Sequence, residues 1–359
     1  MKRIQILDYA RFAAAFAVLL FHYTYGGIRN GKIDSITHVD SIIQFTKHGH
    51  LGVEFFFMIS GYVIFFSARY REAPAFAASR AKRLFPAYWV AIIFTSAFAI
   101  FLGGELMAVT PKMIIANFSM LQNYIGIENV DGVYWTLLYE LRFYAAVFVI
   151  LCLGLRRYLA GIFLAWPLMI IGFLLFDIQS SHLLIHYRYL YFAAGGLFAL
   201  ITEKSTVPRI ASLLVTMFSC TYIGSSALSS IPKAVIILSF FAFFGACLIS
   251  KIRDLQLPMS RHCGAITYPL YLIHAHFGYM MLSVFASDAN KVIVYPIVIA
   301  SVLILSWGLH QLIEVRLSSF WSRFFSNALE SPISNCEQFL FSRVKHNKVV
   351  RSNKLTRRE

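Results

Sequence analysis

Apolar runs of membrane-spanning length, or close to it, alternate with polar segments along this chain. They lie at about residues 10–28, 51–68, 84–102, 134–153, 158–176, 188–202, 208–225, 232–250, 264–286 and 292–313. A helix needs about 20 apolar residues to cross a hydrocarbon core roughly 30 Å thick. In lipid every backbone N–H and C=O must be satisfied within the protein, which favours helices for such runs. The pattern therefore predicts an all-α polytopic membrane protein, a bundle of about ten transmembrane helices, the sixth of them short. The longest connecting segments are 29–50, 69–83 and 103–133. No internal repeat or low-complexity tract interrupts the series. Residues 1–315 read as one transmembrane domain. Residues 316–359 read as a basic cytoplasmic tail, partly amphipathic and expected to lie on the membrane surface.

Composition supports this picture. Hydrophobic residues make up 58% of the 359 and charged residues only 14%, against about 25% charged in soluble domains. The net charge of +15 could suggest nucleic acid in a soluble protein. Here its distribution gives a simpler cause. With the N-terminus inside, fourteen Lys and Arg fall in inner segments and nine more in the tail, against seven in outer segments. That bias places both termini in the cytoplasm and leaves membrane lipids, not nucleic acid, as the expected surroundings. Asp8 and Arg11 interrupt the approach to the first run, and no small-residue cleavage site follows it, so no cleaved signal peptide is expected. The cysteines Cys152, Cys220, Cys247, Cys263 and Cys336 fall in helices or on the inner side without metal-like spacing, so neither a disulfide nor a metal site is expected.

Ionisable residues within such spans are costly and mark candidate functional sites. The first run, "LDYARFAAAFAVLLFHY", carries Arg11 and His22. Eleven residues is nearly a whole number of helical turns, so the two share a face about 16 Å apart along the axis. The second run brings Glu54 near its outer end and Ser60–Gly61 near its middle. The third opens with Arg80, Lys82 and Arg83 at the inner mouth. The fourth holds Glu140 in its outer third, at a depth comparable to His22. The ninth holds Tyr268, Tyr271, His274 and His276. The sequence thus suggests a basic group at the inner surface and a His/Glu group above it. Plainer readings stand beside these. Arg80 and Arg83 fit any basic inner loop, Arg11 fits a snorkelling anchor, Ser60–Gly61 fits close helix packing, and His276, on another face, fits a structural role. Glu314, at the end of the tenth run, is expected to cap or pair near the inner surface.

Five segments in order resemble the acyltransferase 3 family, bacterial integral-membrane enzymes that O-acylate surface and exported glycans. They are Arg-x10-His (Arg11, His22); "GVEFFFMISGYVI"; Arg-x-x-Arg-x-x-Pro (Arg80, Arg83, Pro86); Trp-x-Leu-x-x-Glu-x-x-Phe-Tyr (Trp135, Leu137, Glu140, Phe143, Tyr144); and "ITYPLYLIHAHF", with Thr267 where serine is usual. The resemblance covers about residues 5–315 and implies the transmembrane module alone, without the extracytoplasmic hydrolase-like domain of some members. It implies transfer of an acyl group, most often acetyl, from cytoplasmic acyl-CoA to a hydroxyl of a glycan or lipid-linked saccharide outside. It also implies a multi-pass protein of the bacterial inner membrane.

Residue chemistry agrees. Arg clusters bind the phosphates of CoA, which assigns donor binding to Arg11, Arg80 and Arg83. His22 supplies a base near neutral pH. Glu140 is the candidate carboxylate to orient its imidazole, and Ser60, Tyr271 and His274 are supporting groups, Ser60 as an oxyanion donor. No bound cofactor is expected, acyl-CoA being a substrate. A transporter or flippase using His22 and Glu140 as a proton relay is the alternative. A basic inner mouth and the lack of a repeat speak against it.

Overall fold

The computed structural model describes residues 3–180 and 184–335. The last part of the basic tail, from Cys336 on, lies outside the described residues. Those described form helices and no strand. The principal helices are α1 (Gln5–Phe21), α2 (Gly52–Tyr70), α3 (Ala73–Leu102), α4 (Trp135–Cys152), α5 (Leu159–Leu175), α6 (Tyr189–Glu203), α7 (Val207–Gly224), α8 (Ile231–Cys247), α9 (Ser260–Phe285), α10 (Lys291–Leu309) and the short α11 (Ser318–Phe325).

Seven helical stretches are long and apolar enough to cross a membrane, namely α1, α2, α3, α4, α5, α7 and α10 with their extensions. The 15-residue α6 and the 17-residue α8 are shorter, and α9 carries too many polar residues to qualify by hydropathy. The short α6 is buried along its whole apolar stretch, Tyr189 to Ile201, so protein rather than lipid covers it. In contrast α7, α8 and α10 leave Leu214, Phe218, Val235, Ile293 and Ile304 exposed, the pattern of lipid-facing helices.

α9 packs against α1, α3 and α10, and α2 packs against α6. The α2–α6 crossing is close because glycines face backbone. A Cβ on Gly61 would lie 1.9 Å from the carbonyl oxygen of Phe192, and one on Gly195 1.8 Å from that of Met58. Small residues that let backbones approach are how membrane helices associate, so the packing reading of Gly61 holds. Gly61→Val must push α2 away from α6. Its expected effect is a fall in thermal stability in detergent of at least the 1–3 kcal/mol typical of overpacking, read by fluorescence size-exclusion melting. An unchanged melting temperature would refute the close crossing.

Two features differ from the sequence expectation. First, the segment 69–83, read as a loop, is mostly helix. α2 continues to Tyr70 and α3 already starts at Ala73 with Pro74 in its first turn, where a missing N–H costs nothing. Arg80 and Arg83 therefore lie three apart on one helical face. Second, the start of the tail docks on the bundle. Trp321 and Phe325 pack on Trp89, and Phe325 is buried against Ala78 and Ala81. Lys82 donates to the hydroxyls of Ser318 and Ser322.

Candidate functional site

The bundle has two ends. At the N-terminal end, Gln5 meets Gln256 just before α9. At the far end, Ser35 Oγ donates to the carbonyl of Leu282 near the end of α9, and Thr37 donates to Asp288.

Cavities open from the N-terminal end, and Arg11, Arg80 and Arg83 line three of them. One of the three, a cavity of about 120 Å³, reaches into the bundle to Ser60, Thr136, Glu140, Tyr144 and Tyr271, with Phe56, Phe57 and Leu84 as apolar wall. The three guanidiniums differ in their partners. Arg83 Nη1 pairs with Glu314 Oε1 at 2.9 Å and lies over the Tyr268 ring at 5.4 Å. Glu314 Oε2 also accepts from His310 Nδ1 at 3.0 Å, so the expectation that Glu314 pairs at this end holds. Arg80 lies over the Tyr144 ring at 5.9 Å, donates to Ser79 at 3.0 Å, and keeps a buried Nε without partner. Among the described residues Arg11 has neither an ion pair nor a hydrogen-bonded side-chain partner. Arg11 and Arg80 are thus cations facing the cavity with no carboxylate paired to them.

Glu140 belongs to this same cavity. Its Oε1 accepts from Ser60 Oγ at 3.1 Å and from the Tyr144 hydroxyl. The expected pairing of Glu140 with His22 does not occur, since no hydrogen bond joins them among the described residues. The physical reason is the approach to α4. Residues Val130 and Asp131 are fully buried, Asp131 Oδ2 accepts the His276 N–H at 2.9 Å and Oδ1 the Val133 N–H at 3.1 Å, and the helix starts well inside the bundle. Thr136 of α4 then meets the Tyr271 hydroxyl at 2.8 Å. From that level Glu140 is one turn toward the N-terminal end and His274 about one turn away from it. That separates them by roughly 10 Å along the axes. Ser60 is likewise spoken for. Its proton goes to Glu140, so it cannot at the same time serve an oxyanion.

With both donors removed, by Ser60→Ala with Tyr144→Phe, the Glu140 carboxylate is free to turn to Arg80. We expect this pair of changes to weaken binding of an anionic probe such as pyrophosphate at the arginines several-fold, while the single changes cost about 0.5–1.5 kcal/mol of stability each. A double variant that binds pyrophosphate as the wild type does would show that freeing Glu140 does not neutralise the arginines.

The histidines form a second group beyond Tyr271. Its ring lies 5.6 Å from that of His274, and His274 lies 5.1 Å from His22. α1 changes from α to π-helical pitch at His22, over His22–Gly26, a local irregularity common at functional sites. His22 Nδ1 is hydrogen-bonded to the Tyr279 hydroxyl, and the side chain is only half-buried. His274 Nδ1 donates to the carbonyls of Tyr271 and Leu270 at 2.9 and 3.2 Å, which leaves Nε2 as a bare acceptor, buried and without partner. One imidazole with a fixed tautomer thus faces another with accessible surface.

His276, read as structural, accepts at Nε2 from Lys32 Nζ at 2.8 Å and from the Gly132 N–H at 3.3 Å. Glu54 is buried with Oε2 unpartnered and lines none of the three arginine cavities. Sequence reasoning missed Asp131, Tyr279 and Lys32. Asp131 had one local signal, an acidic residue immediately before the 3₁₀ turn that opens α4, the place of an N-cap. Lys32 and Tyr279 had none, because their partners are 244 and 257 residues away.

Comparison with known proteins gives one finding. A family model described as an acyltransferase domain matches residues 4–311. No curated protein and no solved structure matches the chain.

Proposed function

Because the chain belongs to the acyltransferase 3 family, we propose that it carries an acyl group, acetyl foremost, from acyl-CoA bound at the N-terminal end of the bundle to a hydroxyl of a cell-surface or exported glycan at the far end. The observation that supports this most is the set of arginines shared by three cavities, Arg11, Arg80 and Arg83, at the mouth of a narrow space that ends at Tyr271, whose ring lies 5.6 Å from that of His274. Guanidiniums suit the CoA phosphates, and the apolar wall of the inner cavity suits a thin, mostly uncharged pantetheine arm. The assignment of the N-terminal end to the cytoplasm belongs to the same proposal and rests on the Lys and Arg bias; that of the protein to a bacterial inner membrane rests on the family.

In this reading His22 takes the proton of the acceptor hydroxyl as its oxygen attacks the thioester carbonyl. The C–O bond forms, the oxyanion collapses, the C–S bond breaks, and the thiolate leaves with the proton held by the imidazole. Tyr279 holds the His22 ring at Nδ1. His274, its Nδ1 proton tied to backbone, keeps its Nε2 basic and without partner, its ring 5.1 Å from that of His22. Glu140 balances the arginines and acts as a positioning residue at the donor end.

Purified protein in nanodiscs, given [14C]acetyl-CoA and alkali-deacylated glycan from cells lacking the protein, should place label on the glycan in alkali-labile form. Label that remains in acetyl-CoA and free acetate alone would overturn the proposal.

A further inference from the structure

At the far end Lys32, the segment 106–132 and His276 of α9 line a second kind of space, about 280 Å³ and separate from the donor cavities. Its polar lining is Lys32, Asn123, Glu128, Asn129 and His276, beside apolar Met107 and Met113. Lys32 is half-buried, yet among the described residues it has no ion pair and donates only to the His276 imidazole. Burial pushes its ammonium down from the ordinary value, with Asp131 and Glu128 drawing it back up. Glu128 and Asn123 are exposed, and neither side chain has a hydrogen-bond partner among the described residues. The cavity also lies close to the proposed chemistry. The His276 ring is 6.0 Å from that of Tyr279, whose hydroxyl holds His22.

We propose that this far-end cavity is the acceptor subsite and takes a neutral pyranose ring of the glycan, its hydroxyls bonded to Lys32, Glu128 and Asn123 and its C–H face on Met107 and Met113. The proposal rests on the acyltransferase reading above. Carbonyl, amide, carboxylate and ammonium groups on one wall match the mixed donor and acceptor character of vicinal hydroxyls. One cation and one carboxylate, neither paired with the other, favour a ligand without net charge. A sugar held here has one edge toward Tyr279 and His22, where a hydroxyl would meet the base.

Gly132 offers a clean probe. A Cβ built on it meets only His276 Nε2 at 3.6 Å and Lys32 Nζ at 3.9 Å, ordinary contacts, so Gly132→Leu extends into the cavity without striking backbone. In the nanodisc assay with deacylated glycan as the probe, Gly132→Leu and Lys32→Met are expected to raise the KM for glycan at least tenfold. The KM for acetyl-CoA should stay as in the wild type. An unchanged KM for glycan in both variants overturns the subsite, and so does a parallel rise in the KM for acetyl-CoA, which would place these residues on the donor path. A wild-type protein that labels no glycan fails the acyltransferase reading instead, so the two failures are distinguishable.

Discussion

His22→Ala should reduce acyl transfer by a factor of about 10²–10⁴, the range lost when a positioned general base is removed. The protein should still reach the membrane and melt near the wild-type temperature. Among the described residues Tyr279 is the one hydrogen-bonded side-chain partner of His22, so truncation leaves a neutral hydroxyl without its partner rather than an orphaned buried charge. The KM for acetyl-CoA should hold, because Arg11, proposed to bind the donor from the same helix, is about 16 Å away along the axis. His22→Gln, which keeps a polar group beside Tyr279 but cannot take a proton, should be as inactive. The rates come from single-turnover assays with labelled donor. Near-normal turnover in either variant would remove His22 from the chemistry and make His274, with its bare Nε2, the next candidate.

Donor binding should separate the three arginines. Arg11→Ala and Arg80→Ala each remove a cation without a carboxylate partner. Each should weaken binding of a non-hydrolysable acyl-CoA analogue by about 1–3 kcal/mol, roughly 5- to 150-fold. Arg83→Ala should behave differently. It also strips Glu314 of its 2.9 Å partner, leaving that carboxylate to His310 alone, so lower thermal stability should accompany the weaker binding. Isothermal titration and melting on the same preparations give both quantities. Equal binding by all three variants and the wild type would reduce these residues to topology signals.

Much of the fold was legible because a membrane imposes one period and one length. Each apolar run in the sequence coincides with a helix, and even the short sixth run is real, rescued by its burial in the bundle. The errors arose where polar residues met helix ends. The stretch around Arg80–Arg83 looks like an inner loop by charge, yet Pro74 starts a helix ahead of it. Depth was the harder quantity. Counting residues from the apparent start of α4 set Glu140 level with His22. In the structure the Val130–Tyr134 segment, buried except at Gly132, lowers the whole helix and delivers Glu140 to Ser60, Tyr144 and the arginines. No local pattern reports that shift, because it is fixed by Asp131 meeting the backbone of α9 145 residues away. The Arg11–His22 spacing, by contrast, was readable from helical geometry, since α1 stays regular from Gln5 to Phe21.

The most direct measurement is one of sidedness. Proteoliposomes with the protein in a single, protease-verified orientation would receive [14C]acetyl-CoA only on the side of the N-terminal end and deacylated glycan only on the other. Transfer through the bundle predicts alkali-labile label on the glycan while CoA stays on its own side, and none with His22→Ala. Unlabelled glycan that nevertheless crosses the membrane would contradict this and favour a transporter.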